Sequence, residues 1–170
     1  ELSDLVINQA GIPKNQRLVI NIGRPADKLA IKLNAKKDQV RLGNILARVR
    51  MICLFDQAKK LKALVVGTEN KSEKMLGYFT RFGDAASDLE PIAHLYKTEV
   101  IKLAQELGVS EAIIQAAPTA GLWPGQTDEL ELGMTYEQID VRLRQGKINP
   151  TFKLNTPYHL WFKSSKPLAS

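Results

Sequence analysis

The chain has 170 residues, with 24 Lys and Arg against 18 Asp and Glu, for a formal net charge of +6. That length suits one domain, or one with a small appendage, and 44% hydrophobic with 25% charged residues excludes collagen-like and wholly disordered classes. No stretch approaches the apolar length of a membrane helix, the Glu1-Leu2-Ser3-Asp4 start is too acidic for a signal peptide, and the single cysteine, Cys53, excludes an internal disulfide and structural zinc. A soluble, intracellular, cytoplasmic protein without membrane or nucleic-acid partners is expected. The cations are scattered from Lys14 to Lys166 and form no stripe with interleaved aromatics, which a nucleic-acid footprint would need. A chain that begins at Glu1 without a methionine is expected to be processed or to be a piece of a longer one.

In chain order, Arg17-Leu-Val-Ile-Asn-Ile-Gly23 is a β-branched run ending in Gly-Arg-Pro and predicts a strand leaving into a turn. Ala26 to Leu33 predicts one or two helical turns, and the polar, lysine-rich Asn34 to Arg41 a loop. From Leu42 to about Lys60 the apolar residues Ile45, Leu46, Val49, Ile52, Cys53 and Ala58 keep helical spacing, with no Pro or Gly after Gly43. Ala63-Leu-Val-Val66, bounded by Gly67, predicts a parallel strand buried on both faces.

Leu89 to Ile92 predicts a further short strand and Lys97 to Leu107 a helix, closed by Gly108 as a left-handed cap. Ser110 is placed to cap a short helix through Gln115, and Pro118 to Asp128, with Gly121 and Gly125, predicts a mobile loop. Thr135-Tyr-Glu-Gln138 is a capping box opening a helix that stops near Gly146. Residues 1–146 are expected to form the main domain, and 147–170 a C-terminal tail that wraps the surface.

Two segments carry chemistry. Gly67-Thr-Glu-Asn-Lys-Ser-Glu73 follows a buried strand, and ligands bind at the carboxyl ends of strands in open parallel sheets. Gly67 would let backbone approach a ligand, with Thr68 supplying a hydroxyl, Lys71 a cation and Glu73 a carboxylate suited to magnesium. The same residues also suit an ordinary helix start, because Thr68, Asn70 and Ser72 all cap well. In Gly77 to Asp84 with Asp88, Arg81 offers a planar fork for phosphate or carboxylate, and the alternative is a loop with core aromatics Phe79 and Phe82. Asn44 and Arg48, at i and i+4, share a helix face.

These residues go beyond pattern when read together. Gly43-Asn-Ile-Leu-Ala-Arg48, Gly67-Thr68-x-Asn70-Lys-Ser-Glu73, Gly77-Tyr-Phe-Thr80, Phe82-Gly-Asp84, Leu95-Tyr-Lys-Thr98, Pro118-Thr-Ala-Gly-Leu-Trp123, Gly125-Gln-Thr-Asp-Glu129 and Glu131-Leu-Gly133 resemble NAD synthetase in order and spacing. The resemblance runs from about Gly43 to Arg144. It implies the α/β fold of the ATP pyrophosphatases, a Rossmann-like three-layer sandwich with a parallel sheet (adenine nucleotide alpha-hydrolase-like), here lacking its N-terminal strands. The activity implied is ATP-dependent amidation of nicotinic acid adenine dinucleotide (deamido-NAD) through an acyl-adenylate, by a homodimer using Mg2+ and ammonia.

By matching positions, the resemblance implies that Thr68, Lys97 and Thr119 meet ATP and that Glu73 ligates magnesium. It also implies that Asn44, Arg48, Arg81 and Asp88 grip the dinucleotide and that Asp84 lies near the reacting amide or ammonia. The family usually carries Lys where Arg81 stands. Its Ser-Gly-Gly-x-Asp-Ser phosphate loop does not occur in this sequence. Its C-terminal His-Lys-Arg element has only a shortened counterpart, Thr151 to Pro157, in which Lys153 takes the lysine's part at the substrate. The phosphate loop is expected upstream of Glu1. The competing expectation is a non-catalytic nucleotide-binding or interface module derived from that family.

Overall fold

The computed structural model describes residues 2–148, in which eight α-helices form, four of them opened by a side-chain cap at Asp38, Asn70, Thr127 or Thr135. The helices are α1 (Leu2–Gln9), α2 (Gly23–Lys32), α3 (Gln39–Leu61), α4 (Lys71–Leu76), α5 (Lys97–Glu106), α6 (Glu111–Ile114), α7 (Asp128–Leu132) and α8 (Tyr136–Arg144). A 3-10 turn, Lys14–Gln16, precedes α2. The start of α3 lies inside the expected loop because the Asp38 carboxylate accepts a hydrogen bond from Arg41 N at 3.0 Å, satisfying one orphan donor of the first turn. Lys62, at a left-handed φ of 54°, ends it.

Two cores form. Ala26 and Ala30, one helical turn apart on α2, are fully buried with Ala35 against Ile45 of α3. Alanines at that spacing let the α2 backbone lie close to α3, with Leu42, Leu46 and Val49 filling the flanks. The second core gathers Leu76, Tyr78, Tyr96, Leu132, Tyr136, Ile139 and Leu143. Buried Asp140 of α8 fastens it. Its carboxylate accepts from Ser72 Oγ, from Thr98 N at 2.9 Å and from Thr98 Oγ1 at 2.8 Å, and Ser72 Oγ accepts from Lys97 N at 2.9 Å. One carboxylate therefore registers the first turns of α4 and α5 against α8. The expected capping box at Thr135 is present, as is left-handed Gly108 at φ 68°. Ser110 precedes α6 but makes no side-chain cap bond.

The strand expected over Arg17 to Gly23 does not form. Residues 17–22 have no regular structure, Val19 is 92% exposed, and α2 already begins at Gly23. A β-branched run becomes a strand only when a neighbour takes its backbone groups, and no described segment does. The run at Ala63 to Val66 is likewise reduced to one parallel bridge, Val66 to Leu89, within which Gly67 N donates to Leu89 O at 2.7 Å. Only Val65 is buried there, while Leu64 and Val66 face outward, so burial on both faces is not met. The segment at Leu89 to Ile92 is a bridge residue followed by turns. Beyond residues 147 and 148, the expected tail and Lys153 lie outside the described residues.

Candidate functional site

At the end of the bridge the chain turns at Gly67, where a Cβ would stand 2.6 Å from Ser87 Oγ and 2.8 Å from Ser87 Cβ. The close approach that requires glycine is thus made by the 87–90 segment of the protein itself. Asn70 then opens α4 with a full capping box: its side chain accepts from Glu73 N at 3.0 Å, and Glu73 Oε2 accepts from Asn70 N at 3.0 Å. The helix-start reading of this heptapeptide is met, and it leaves Glu73 Oε1 directed at Lys97 Nζ, 3.5 Å away. Burial raises the Glu73 carboxyl above its ordinary range, while Lys97 and the Asn70 N–H pull it down. Thr68, between Gly67 and this turn, is exposed.

Lys97 stands at the first turn of α5, with Nζ 5.2 Å from the centroid of the Tyr136 ring. The Tyr136 hydroxyl donates to Asp128 Oδ2 at 3.0 Å. Tyr78 lies on the other side of that carboxylate, with its hydroxyl 3.3 Å from Asp128 Oδ1 and donating to Glu131, which also accepts from Gln126 Nε2 at 3.0 Å. Burial raises Asp128 against the opposing pull of Tyr136, Lys97 and Tyr78, and burial raises both phenols. Glu73, Lys97, Tyr136 and Asp128 thus form one continuous group reaching from the surface into the second core.

Arg48 and Arg81, far apart in sequence, are brought together as Arg48 Nε donates to Arg81 O at 3.2 Å. The turn that carries Arg81 is pressed onto α3 at Gly83, where a Cβ would meet Ala47 Cβ at 3.0 Å. Phe82 takes a left-handed φ of 59° and is 63% exposed, so it is no core aromatic. Arg81 lies over its ring, 4.9 Å from the centroid. Asn44 is half-buried one turn before Arg48.

Asp84 Oδ1 accepts from Thr80 N at 2.9 Å and shapes that turn. Asp88 Oδ2 accepts from Val65 N at 2.8 Å, a bond that secures the bridge. Glu69 is 8% exposed, and its Oε1 has no hydrogen-bond partner among the described residues. Burial, with help from Glu90 and Asp84 and against Lys74, pushes its carboxyl up to about 7.

The loop expected to be mobile is internally bonded. Asp128 N donates to Pro118 O at 2.9 Å, closing its ends, and buried Gln126 accepts from Leu122 N at 2.8 Å. Thr119 Oγ1 accepts from Gly121 N at 3.0 Å, and Leu122 and Trp123 rest on α3 at Gly43.

Among the described residues no three His, Cys, Asp or Glu side chains gather as a metal cage. Magnesium is commonly held by only one or two carboxylates, with phosphate oxygens and water completing its shell. Glu73 suits that use, because its Oε1 makes only a long contact. Sequence reasoning gave no role to Asp128, Tyr136, Glu69 or Asp140. Asp128 stood inside a quoted motif and Tyr136 inside the capping box, whereas nothing local distinguishes Glu69 from a solvated glutamate.

A lysine–carboxylate pair at the start of two helices, following a parallel β-connection, is the arrangement found at the ligand-binding edge of α/β proteins. The chain belongs to the NAD synthase family, whose model matches residues 4–156. It is 50% identical over 148 residues to the NH(3)-dependent NAD(+) synthetase of Pyrococcus horikoshii, covering 84% of this chain and 58% of that protein. With the same enzyme of Pyrococcus furiosus it shares 48% identity over 125 residues, covering 74% of this chain and 49% of the relative. The chain spans about half the length of these relatives.

Among solved structures it is similar to an NMN synthetase from Francisella tularensis, with a TM-score of 0.79, 33% identity, and coverage of 99% of this chain and 71% of the other. An NH3-dependent NAD synthetase from Campylobacter jejuni matches with a TM-score of 0.57 and 32% identity over 89% of this chain and 63% of the other. These likenesses establish the Rossmann-like α/β fold, of which the described residues supply helices and one parallel bridge.

Proposed function

We propose that this chain carries the activating and substrate-holding part of an ammonia-dependent NAD synthetase, a cytoplasmic homodimer that joins ATP, deamido-NAD and ammonia. The observation that carries the reading is the Glu73–Lys97 pair, a half-buried carboxylate and ammonium at the junction of α4 and α5 in a chain of this family. A carboxylate is a poor acyl donor, since oxide would have to leave. Attack of the nicotinate carboxylate on the α-phosphorus expels pyrophosphate and installs AMP as the leaving group, which ammonia then displaces.

Lys97 and Thr119 hold the phosphates, with Thr68 beside the nucleotide. Arg48, Arg81, Asn44 and Asp88 hold the dinucleotide, with Lys153 added from the tail, and Asp84 stands beside the incoming ammonia. Glu73 is the carboxylate that would hold magnesium, whose charge offsets that of the phosphates. Catalysis here is positioning and charge neutralisation.

The relative named NMN synthetase raises a mononucleotide acceptor as the competing reading. The two solved structures match at like identity, 33% and 32%, and what supports the dinucleotide is that the curated relatives at 48–50% identity are NH(3)-dependent NAD(+) synthetases. The test supplies ATP, magnesium and ammonia with either acceptor. Release of AMP matched by amidated dinucleotide supports the proposal, and preferential turnover of the mononucleotide reassigns the substrate. Nucleotide binding without AMP release from the protein with its upstream sequence restored would leave the non-catalytic module. Arg48→Ala is expected to raise the KM for deamido-NAD about tenfold or more and to leave that for ATP nearly unchanged. A changed ATP constant alone would exchange the two pockets.

A further inference from the structure

Among the described residues the Lys97 ammonium meets the Glu73 carboxylate and the Tyr136 ring, contacts that differ in kind, and it also feels the charge of Asp128 behind that ring. Glu73 Oε1 lies at 3.5 Å, long for a charge-assisted bond, which normally falls at about 2.7–2.9 Å. Such a contact is readily given up to a better anion. The second neighbour, the Tyr136 ring at 5.2 Å, lies within the range over which an ammonium is attracted to an aromatic face, and a phosphate does not compete for it. Lysine has a four-carbon stem with many rotamers, so a lysine that must meet a phosphate in one place benefits from a fixed surface along which its head group can lie.

The ring is fixed to an unusual degree. Tyr136 is 1% exposed, and it packs in the second core with Leu132, Ile139 and Leu143. Apolar packing alone would be satisfied by phenylalanine. Instead the hydroxyl donates to Asp128, a carboxylate itself buried to 4% exposure, which is held on its other oxygen side by Tyr78. A buried carboxylate network is costly unless every member is partnered, and what a partnered one supplies is a defined orientation. Asp128 also closes the 118–128 loop through its backbone N–H on Pro118 O, at 2.9 Å. The loop that carries Thr119 and the ring under Lys97 therefore share one anchor.

We propose that Tyr136 is a positioning residue for Lys97: its ring, pinned through its hydroxyl on Asp128, is the platform that keeps the ammonium in place as it exchanges Glu73 for a phosphate. The proposal rests on the reading of Lys97 as a phosphate-binding cation. Tyr136 touches no substrate in this scheme.

The test uses the protein with its upstream sequence restored, with magnesium ATP and pyrophosphate as probes in calorimetric titration. Lys97→Ala is expected to weaken binding about tenfold, the loss of one charge-assisted contact. Tyr136→Leu, which leaves a smaller apolar side chain and removes both the aromatic face and the hydroxyl, is expected to weaken it comparably. The double variant is expected to be no weaker than Lys97→Ala, because a platform without its cargo has no effect, and Tyr136→Phe is expected to lose about threefold.

A double variant weakened by the product of the two single effects would make Tyr136 merely structural and overturn the proposal, as would wild-type binding by Tyr136→Leu. If Tyr136→Leu does not melt cooperatively, the proton spectrum of the wild type decides. Lys97 ε-methylene signals displaced upfield of the other lysines by the ring support the platform, and undisplaced signals overturn it. Wild-type binding with Lys97→Ala unchanged, or no binding by the wild type at all, overturns the phosphate-site reading along with the proposal. Weak Lys97→Ala beside unaffected Tyr136→Leu overturns the platform alone.

Discussion

Glu69 shows how much a single side chain can reveal about its surroundings. Its folded pKa of about 7 lies above the ordinary 4.5, so the folded protein holds this proton more tightly than the unfolded chain. The sign follows from linkage. Stability from this group is fully present below about pH 4.5, is lost as pH rises through about 7, and is constant above that. Glu69→Gln keeps the shape and removes the charge, so it is expected to stabilise the protein by about 1–3 kcal/mol at pH 8, a range discounted for solvent screening, and to change little at pH 4. Urea unfolding at the two pH values checks this, and an equal effect at both would show that the Glu69 charge is not the cause.

Glu73 is separable in the same manner. Gln can keep the capping box, so Glu73→Gln is expected to move the melting temperature little while abolishing most of the magnesium dependence of ATP binding. Titrations of ATP with and without magnesium read the difference. A variant that kept the wild-type magnesium response would confine Glu73 to its cap.

At the scale of elements, the site depends on where α4 and α5 begin. Asp140 holds both first turns from α8, and the bridge fixes the chain entering α4. Gly67 lies on that bridge, and the crowding there comes from Ser87, whose short side chain has little room to give. Gly67→Ala is therefore expected to cost about 1–3 kcal/mol by overpacking, with a melting temperature several degrees lower. An unchanged melting curve would mean that the 87–90 segment is not packed as the structure has it. Strain of another kind appears at Phe82, whose left-handed backbone directly follows the Arg81 carbonyl that accepts from Arg48.

On the scale of the whole molecule, the α2–α3 core and the core around α8 share no buried residue. Ile45→Val and Ile139→Val, one in each, are each expected to cost about 0.5–1.5 kcal/mol, and the double variant to cost their sum within about 0.5 kcal/mol. Chemical denaturation of the four proteins measures it, and a coupling above about 1 kcal/mol would show that the two cores respond as one. Leu18, Val19, Leu64, Val66 and Leu130 all remain exposed, which is much apolar surface for a chain of this size. None of the helices in the described residues is long and apolar enough to cross a membrane.

What the sequence determined by itself was local. The period of α3, the capping box of α8, left-handed Gly108 and the alternative of a cap at Asn70 each depend on residues within a few positions of one another, where propensity and spacing act directly. The family motifs were legible for a related reason, since they are runs of adjacent residues, and they carried Glu73, Lys97, Arg48 and Arg81 with them. Tertiary structure decided everything that joins distant segments. The Ser72–Asp140 bond spans 68 positions and the Lys97–Glu73 pair spans 24, and no local signal records either. It also decided against the strand at Arg17 to Gly23 and reduced those at Ala63 to Val66 and Leu89 to Ile92 to one bridge: a β-branched run states only a preference, and its backbone groups become a strand where a neighbour accepts them. Nothing in the sequence marks Glu69 or Asp128 as buried, for the same reason. Burial is a property of what the rest of the chain places around a side chain, and only the fold supplies it.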